Sequence, residues 1–387
     1  MKKICVITGS RAEYGLMSRV MRFIKEDIDL ELQIIVTNMH LSKEHGETYK
    51  EIESDGFKIN RKIPILSMSD TTNAIVKSVG TGIIGFADAY EEIKPDMIMV
   101  LGDRYEILAA VSVALFYKIP VLHLYGGEIT EGAFDDAIRH AVTKMAHLHF
   151  TSTEEYRQRV IQMGENPETV FNVGALGCDN IHQVQLMSRD EIEKSLNIPV
   201  DRNTILVTFH PVTMENNTAE TQFNELLSSI DEFRNLRVIF TMPNSDTDGK
   251  IIMKLIKEYV IKNSQRAIWY TSLGMIRYLS VLQYVGAVIG NSSSGIIEVP
   301  SFHIPTLNIG DRQKGRIAAK TVINCRPIKE DIVEKLKIIF NFDHTENMGD
   351  IANPYDKPNT AQEIVRIIKE KSNISATKKF HDIGLSM

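Results

Sequence analysis

Apolar residues in this chain follow two alternating rhythms. Short runs rich in β-branched residues, Lys3–Thr8 (KICVIT), Glu31–Thr37 (ELQIIVT), Met97–Leu101 (MIMVL), Pro120–Leu124 and His149–Ser152, have little polar interruption. Such runs suit strands of a parallel sheet covered on both faces. Between them, Tyr14–Lys25, Thr71–Ile93, Glu106–Tyr117 and Asp135–Ala146 place apolar residues three or four apart, which predicts helices.

A second series follows a polar, charge-rich stretch from His182 to Arg202. Thr204–Thr208, Val238–Thr241, Ala267–Tyr270 and Ala287–Ile289 read as strands. Thr218–Asn235, Gly249–Asn263, Gly274–Tyr284 and a segment from Gly295 read as helices. Strands that alternate with helices imply an α/β fold of two doubly wound, Rossmann-like domains joined near residues 175–200. The expected boundaries are 1–180, 181–360, and a C-terminal helix and tail, 361–387, in which Ala361–Lys371 is helical and crosses back onto the first domain. Ligands of such sheets bind at the carboxyl ends of the strands, so the two domains are expected to face a central cleft.

At 387 residues, with 43% hydrophobic and 24% charged residues, the chain is long enough for two buried cores and excludes a disordered or disulfide-stapled class. A net charge of -6, from 44 basic and 50 acidic residues, offers no global field for nucleic acid. Any anionic ligand must be held by local charge. Cys5, Cys178 and Cys325 are far apart and lack CxxC spacing, so neither a zinc ribbon nor a disulfide framework is expected. The apolar run Ile4–Ile7 is too short for a signal-peptide core, and Ile107–Tyr117 falls short of the roughly 20 residues that cross a bilayer. A cytoplasmic location without membrane contact is the expectation.

The chemistry is expected at the strand ends. The first strand runs into Gly9-Ser10-Arg11-Ala12-Glu13-Tyr14-Gly15, a loop that opens a helix, where free N–H groups and Arg11 suit a phosphate. It is not GxGxxG, so a dinucleotide fingerprint is absent; a tight turn with a solvated arginine is the plain alternative. Gly102-Asp103-Arg104 and Gly126-Gly127-Glu128 each deliver an acid to the same sheet edge. Asp135 and Arg139, four apart on the next helix, share a face and are expected to pair. Three carboxylates so placed should raise at least one pKa toward neutrality, as proton transfer requires.

In the second domain, His210 ends a strand, Pro243-Asn244-Ser245-Asp246 ends the next, and Gly290–Pro300 (GNSSSGIIEVP) joins a strand to a helix. Ser292, Ser293, Ser294 and Gly295 present hydroxyl and N–H groups at that helix start, suited to a diphosphate. Glu298, about one turn inside, could take both hydroxyls of a ribose. Gly310–Arg316 adds Arg312, Lys314 and Arg316.

With these segments assembled, the chain resembles the hydrolysing UDP-N-acetylglucosamine 2-epimerases of sialic and legionaminic acid biosynthesis. The resemblance runs through TGSRAEYG, TNMHLS, LGDRYE, GGEITEGAFDDAIRH, LHFTSTEEY, FHP, GNSSSGIIEVP and NIGDRQKGR. It implies a glycosyltransferase-B type fold, a UDP-sugar substrate, no metal, no nicotinamide or other cofactor, and a homodimer or homotetramer. The implied reaction is anti elimination of UDP to a 2-acetamidoglucal, followed by hydration that releases N-acetylmannosamine. By the same resemblance Asp103, Glu128 and Asp135 are the catalytic carboxylates, with Asp136 an alternative to Asp135 and the C2 base open among them. Arg139 orients Asp135, and His210 contacts phosphate and assists departure of UDP. Arg11, Arg104, Asn244, Ser292, Ser293 and Arg312 match nucleotide contacts, Glu298 the ribose acid, and Thr271-Ser272-Leu273 the uracil turn. The implied sugar is N-acetylglucosamine or 2,4-diacetamido-2,4,6-trideoxyglucose. Non-hydrolysing epimerisation, a retaining glycosyltransferase of the same fold and a UDP-sugar sensor are the competing readings.

Overall fold

A computed structural model describes residues 1–66, 71–131, 134–212, 218–243, 248–341 and 352–384. Its strands form two sheets, and the pairings among the described residues are parallel. The first holds β1 (Lys2–Thr8), β2 (Leu30–Thr37), β3 (Arg61–Ile63), β4 (Met97–Leu101), β5 (Val121–Leu124), β6 (Leu148–Thr151) and β7 (Val170–Asn172), in the order β3-β2-β1-β4-β5-β6-β7. The winding reverses between β1 and β4. In a parallel sheet that reversal opens a crevice at the carboxyl ends, because the connections to either side run over opposite faces.

The connecting helices are α1 (Arg11–Glu26), α2 (Tyr49–Ser54), α3 (Thr72–Ile93), α4 (Tyr105–Tyr117), α5 (Asp135–Met145), α6 (Glu154–Gln162), α7 (Leu176–Gln183) and α8 (Arg189–Leu196). Ile107, Ala109, Ala110, Val111, Val113 and Ala114 of α4 are all buried, since that helix packs on the sheet and against both α3 and α5. The stretch expected to be a polar joint therefore contains an ordered helix. In α8, Ser188 and Glu191 form a reciprocal capping box, and Ile192 and Leu196 are buried.

The second sheet holds β8 (Thr204–Thr208), β9 (Arg237–Thr241), β10 (Ala267–Tyr270), β11 (Ala287–Gly290), β12 (Thr306–Ile309) and β13 (Val322–Cys325), in the order β10-β9-β8-β11-β12-β13. Its reversal lies between β8 and β11. The remaining helices are α9 (Ala219–Ile230), α10 (Gly249–Lys262), α11 (Met275–Leu282), α12 (Ser294–Ile297), α13 (Lys329–Asn341) and α14 (Thr360–Glu370). One face of this sheet packs on a core that includes Phe209, Phe223, Phe240 and Ile252; the other packs on Leu206, Ile239, Val288 and Leu282.

The chain divides into two compact units: Met1–Glu128, Asp135–Asn180 and Lys357–Met387 form one, and Ile129–Phe134 with Ile181–Asp356 the other. The return of the C-terminal segment to the first unit has specific anchors. Thr360 Oγ1 donates to the Val173 carbonyl at 2.7 Å, and the Ala361 N–H donates to Asp179 Oδ2 at 3.1 Å. Helix α14 packs on α1, and Lys369 reaches Asp27 and Asp29.

Candidate functional site

Each sheet edge carries a cluster of polar side chains within its own unit. In the first unit, β4 ends at Gly102, whose φ of +78° lies where a side chain would be strained. That turn is held from beneath by His123, buried on β5. Its Nε2 lies 2.8 Å from the Gly102 carbonyl, so Nε2 carries the proton and Nδ1 accepts from Thr143 Oγ1 at 3.2 Å. Burial holds His123 neutral, pushing its pKa down to about 3.

Asp103 follows the turn, and its carboxylate accepts from Arg139 Nη2. Arg139, only 2% exposed, also donates through Nη1 to the Glu128 carbonyl at 2.9 Å and lies 3.5 Å from Asp136. One buried guanidinium thus joins the end of β4, the loop after β5 and the start of α5. The sequence expectation assigned Arg139 to Asp135, its neighbour one helical turn away. The structure shows it beside Asp136 of the same helix and paired with Asp103 at the end of another strand, a partnership that helical spacing could not reveal. Asp135 is buried at the first position of α5. Glu128 is buried as well, and its Oε1 accepts from Ser152 Oγ at 2.7 Å at the end of β6. The Asp103 and Asp136 carboxylates therefore meet at one buried cation, which also holds the Glu128 backbone.

Helix α1 begins at Arg11, capped by Ser10, rather than at Tyr14 as its apolar spacing suggested. The capping hydrogen bonds override that spacing, so Arg11, Ala12 and Glu13 form the first helical turn. Arg11 is gripped by Glu51 of α2, with Nε and Nη2 donating at 2.7 and 2.6 Å. Arg104 is buried at the N-cap of α4 and donates through Nε to Glu106 Oε1 at 3.0 Å.

In the second unit, the ends of β8 and β11 are stitched together by a side chain. The His210 N–H donates to Asn291 Oδ1 at 2.7 Å, and Asn291 Nδ2 donates back to the His210 carbonyl at 2.8 Å. The sequence reading did not single out Asn291, although a strand-terminal asparagine beside glycine is the available signal. Gly290, at φ +138°, lies so close to β8 that a Cβ would fall 1.9 Å from the Thr208 carbonyl oxygen. The Asn291 carbonyl in turn accepts from Gln313 Nε2 at 2.9 Å and from Arg312 Nη1 at 3.3 Å. Arg312, His210 and the serine loop are thereby held at one edge of this sheet.

Ser292 and Ser293 precede α12, while Ser294 and Gly295 lie within it. Ser294 shares a 2.5 Å hydrogen bond with Tyr278 of α11, and the Gly295 carbonyl accepts from Thr306 Oγ1 at 2.7 Å. Burial, then the charge of Glu298, pushes the Tyr278 hydroxyl well above its ordinary pKa, so it stays neutral. Glu298 is buried at the end of α12, not one turn inside a longer helix: Pro300 turns the chain into a 3-10 segment, Val299–Phe302. Ser272 caps the Gly274 N–H at 3.3 Å in the turn after β10. Asn244 lies outside the described residues.

Among the described residues, no group of three His, Cys, Asp or Glu side chains converges as a metal site, and no helix is long and apolar enough to cross a membrane.

Residues 22–369 match the model of a family described as UDP-N-acetylglucosamine 2-epimerase. The chain is 44% identical over 323 residues to a GDP/UDP-N,N'-diacetylbacillosamine 2-epimerase (hydrolyzing) of Campylobacter jejuni, covering 84% of each chain. It is 39% identical to polysialic acid biosynthesis protein P7 of Escherichia coli, covering 99% of this chain and 98% of the relative. Among solved structures, UDP-GlcNAc 2-epimerase of Methanocaldococcus jannaschii, in complex with UDP-GlcNAc and UDP, superposes with a TM-score of 0.77 at 19% identity, covering 95% of this chain and 99% of the other. That likeness bears on the fold alone, which is of the glycosyltransferase-B type.

Proposed function

Because the chain belongs to the UDP-N-acetylglucosamine 2-epimerase family, we propose that it is a hydrolysing 2-epimerase that converts UDP-N-acetylglucosamine and water to UDP and N-acetylmannosamine. The observation that carries the reaction class is the buried Arg139, which gathers Asp103, Asp136 and the Glu128 backbone at the carboxyl edge of the first sheet.

In this reading a carboxylate removes the C2 proton. Its electron pair forms the C1–C2 double bond while the C1–O bond breaks, and UDP leaves with that bond's electrons. Water then adds its oxygen to C1, giving up a proton to a carboxylate, and a carboxylic acid returns a proton to C2 from the opposite face. A nearby cation keeps a carboxylate ionised and aimed before it acts as a base. Asp103, Glu128 and Asp135 are the groups proposed to exchange protons, with Asp136 the alternative to Asp135, and Arg139 orients them. In the second unit, His210, the Ser292–Gly295 loop and Arg312 are proposed to grip the diphosphate, and Glu298 the ribose. Asn291 holds His210 and the Arg312 loop in register.

Turnover of UDP-N-acetylglucosamine in deuterium oxide tests the mechanism. It should yield free N-acetylmannosamine carrying deuterium at C2, together with UDP. Unlabelled sugar would sink the elimination route, and UDP-N-acetylmannosamine as the product would sink hydrolysis.

A second reading of the sugar is favoured by the 44% identity to the diacetylbacillosamine enzyme. It differs in the 4-acetamido and 6-deoxy groups, which leave the chemistry at C1 and C2 unchanged. Comparing kcat/KM for UDP-N-acetylglucosamine and UDP-2,4-diacetamido-2,4,6-trideoxyglucose separates the two.

A further inference from the structure

Beneath the Gly9–Ser10 turn, at the β1–β4 reversal, three charged side chains are buried together: Glu13 of α1, Glu106 of α4 and Arg104 at the α4 N-cap. Arg104 Nε donates to Glu106 Oε1 at 3.0 Å, and the Gly9 N–H donates to Glu13 Oε2 at 2.7 Å. The other carboxylate oxygens, Glu13 Oε1 and Glu106 Oε2, are buried with no hydrogen-bond partner among the described residues. Gly9 is packed so tightly here that a Cβ would fall 2.2 Å from Glu106 Oε1.

Two carboxylates against one guanidinium leave a buried negative charge unless one carboxyl keeps a proton. Desolvation penalises that charge, and the acids repel each other. Glu13 is the member that yields: burial and then the Glu106 charge push its pKa up to about 7, against the pull of Arg104 and of the Gly9 and Ser10 N–H groups. The neighbouring titratable groups on the same edge are already committed. Arg11 is paired with Glu51, and burial, then the Arg11 charge, holds His40 neutral.

We propose that Glu13 and Glu106 are positioning residues for the nucleotide sugar: with one proton between them they set Arg104 and the Gly9–Ser10 turn against an anion, and loss of that proton weakens the grip. This inference rests on the UDP-sugar reading above. By linkage, a bound diphosphate must favour the protonated pair, so binding near neutral pH takes up a proton. At an effective dielectric near 20, one negative charge about 10 Å from another changes binding on the order of tenfold, which sets the size of the effect expected.

The test uses the Glu128→Gln protein, in which turnover should be slowed by about 10²- to 10⁴-fold, and UDP-N-acetylglucosamine, whose diphosphate does not titrate in this range. Calorimetry at pH 6.5 and 8.5, in buffers of different ionisation enthalpy, should show affinity falling about tenfold and net proton uptake at the pH between. Adding Glu13→Gln, which still accepts from Gly9 and cannot ionise, should retain the low-pH affinity at pH 8.5 and abolish the uptake. Glu106→Gln should move the break to lower pH, because it removes the charge that raises Glu13. Parallel pH profiles with and without Glu13→Gln would overturn this inference and leave the substrate reading standing. No binding at any pH would remove both.

Discussion

Replacing Arg139 by methionine removes a buried charge while keeping most of the aliphatic volume. The guanidinium is 2% exposed and serves Asp103, Asp136 and the Glu128 carbonyl. Taking one member from a buried ion pair typically costs about 3–5 kcal/mol, because the remaining charge stays desolvated. Here Asp103 is 19% and Asp136 26% exposed, so water can take over part of the lost interaction. A cost of about 3 kcal/mol is therefore expected, the lower end of that range. In a unit of roughly 200 residues this lowers the melting temperature by about 6–12 °C. Turnover should fall further than stability alone explains, by about 10²- to 10⁴-fold, since the carboxylates lose the group that aims them. Arg139→Lys, which retains the charge but loses the fork, should lie between. Calorimetric melting, UDP release from UDP-N-acetylglucosamine and UDP binding are measured on all three proteins. A melting shift below about 1 °C would show that the buried pair carries no stability. A less than tenfold loss of turnover at the expected melting shift would make Arg139 structural only.

Other expectations follow from the same geometry. Glu128→Gln should cut turnover by about 10²- to 10⁴-fold with UDP affinity nearly unchanged, whereas Ser293→Ala or Arg312→Ala should weaken UDP binding; equal damage to binding by both sets would refute the division of labour. Glu165, 2% exposed, accepts from Lys144 and Lys378 at 2.5 Å and lies 3.1 Å from His149. Burial opposes its ionisation, but hydrogen bonds from His149, Lys144 and Lys378 prevail and take its pKa to about 2. Stability from this cluster is thus present above the unfolded carboxylate value and lost as pH falls toward 2. Glu165→Gln should speed proteolysis at Lys378, and unchanged cleavage would show that the cluster does not fasten the tail. Glu13 has the opposite sign: its raised pKa contributes stability below about 4.5 that is lost as pH rises through about 7, by up to about 3 kcal/mol. Denaturant melts from pH 5 to 8 should show that slope in the parent and a flatter one in Glu13→Gln.

The reading of Met97–Leu101 and Thr204–Thr208 as strands coincides with the structure residue for residue, because a strand buried on both faces advertises itself as an apolar run; Ala267–Tyr270, a half-buried edge strand, matches as well. The edge strands β3 and β13 have no such run, and the reading passed over them. Three or four residues on a half-covered edge need little hydrophobicity. Helix α8 was passed over because its charged surface resembled a linker; the Ser188–Glu191 capping box was the signal available.

What the sequence alone determined is local: that apolar runs form strands β4, β5 and β8, and hence that Asp103, Glu128 and His210 follow their carboxyl ends. The tertiary structure decided the partners. Arg139 meets Asp103 from 36 positions away, Glu13 shares a buried site with Glu106, and Lys378 fastens to Glu165. Strand order and helix packing bring these residues together, and neither spacing nor composition encodes that directly. A pKa depends on the resulting burial and neighbours. For that reason a carboxyl pushed toward neutrality is found at Glu13, a residue the sequence presented only as part of a phosphate loop.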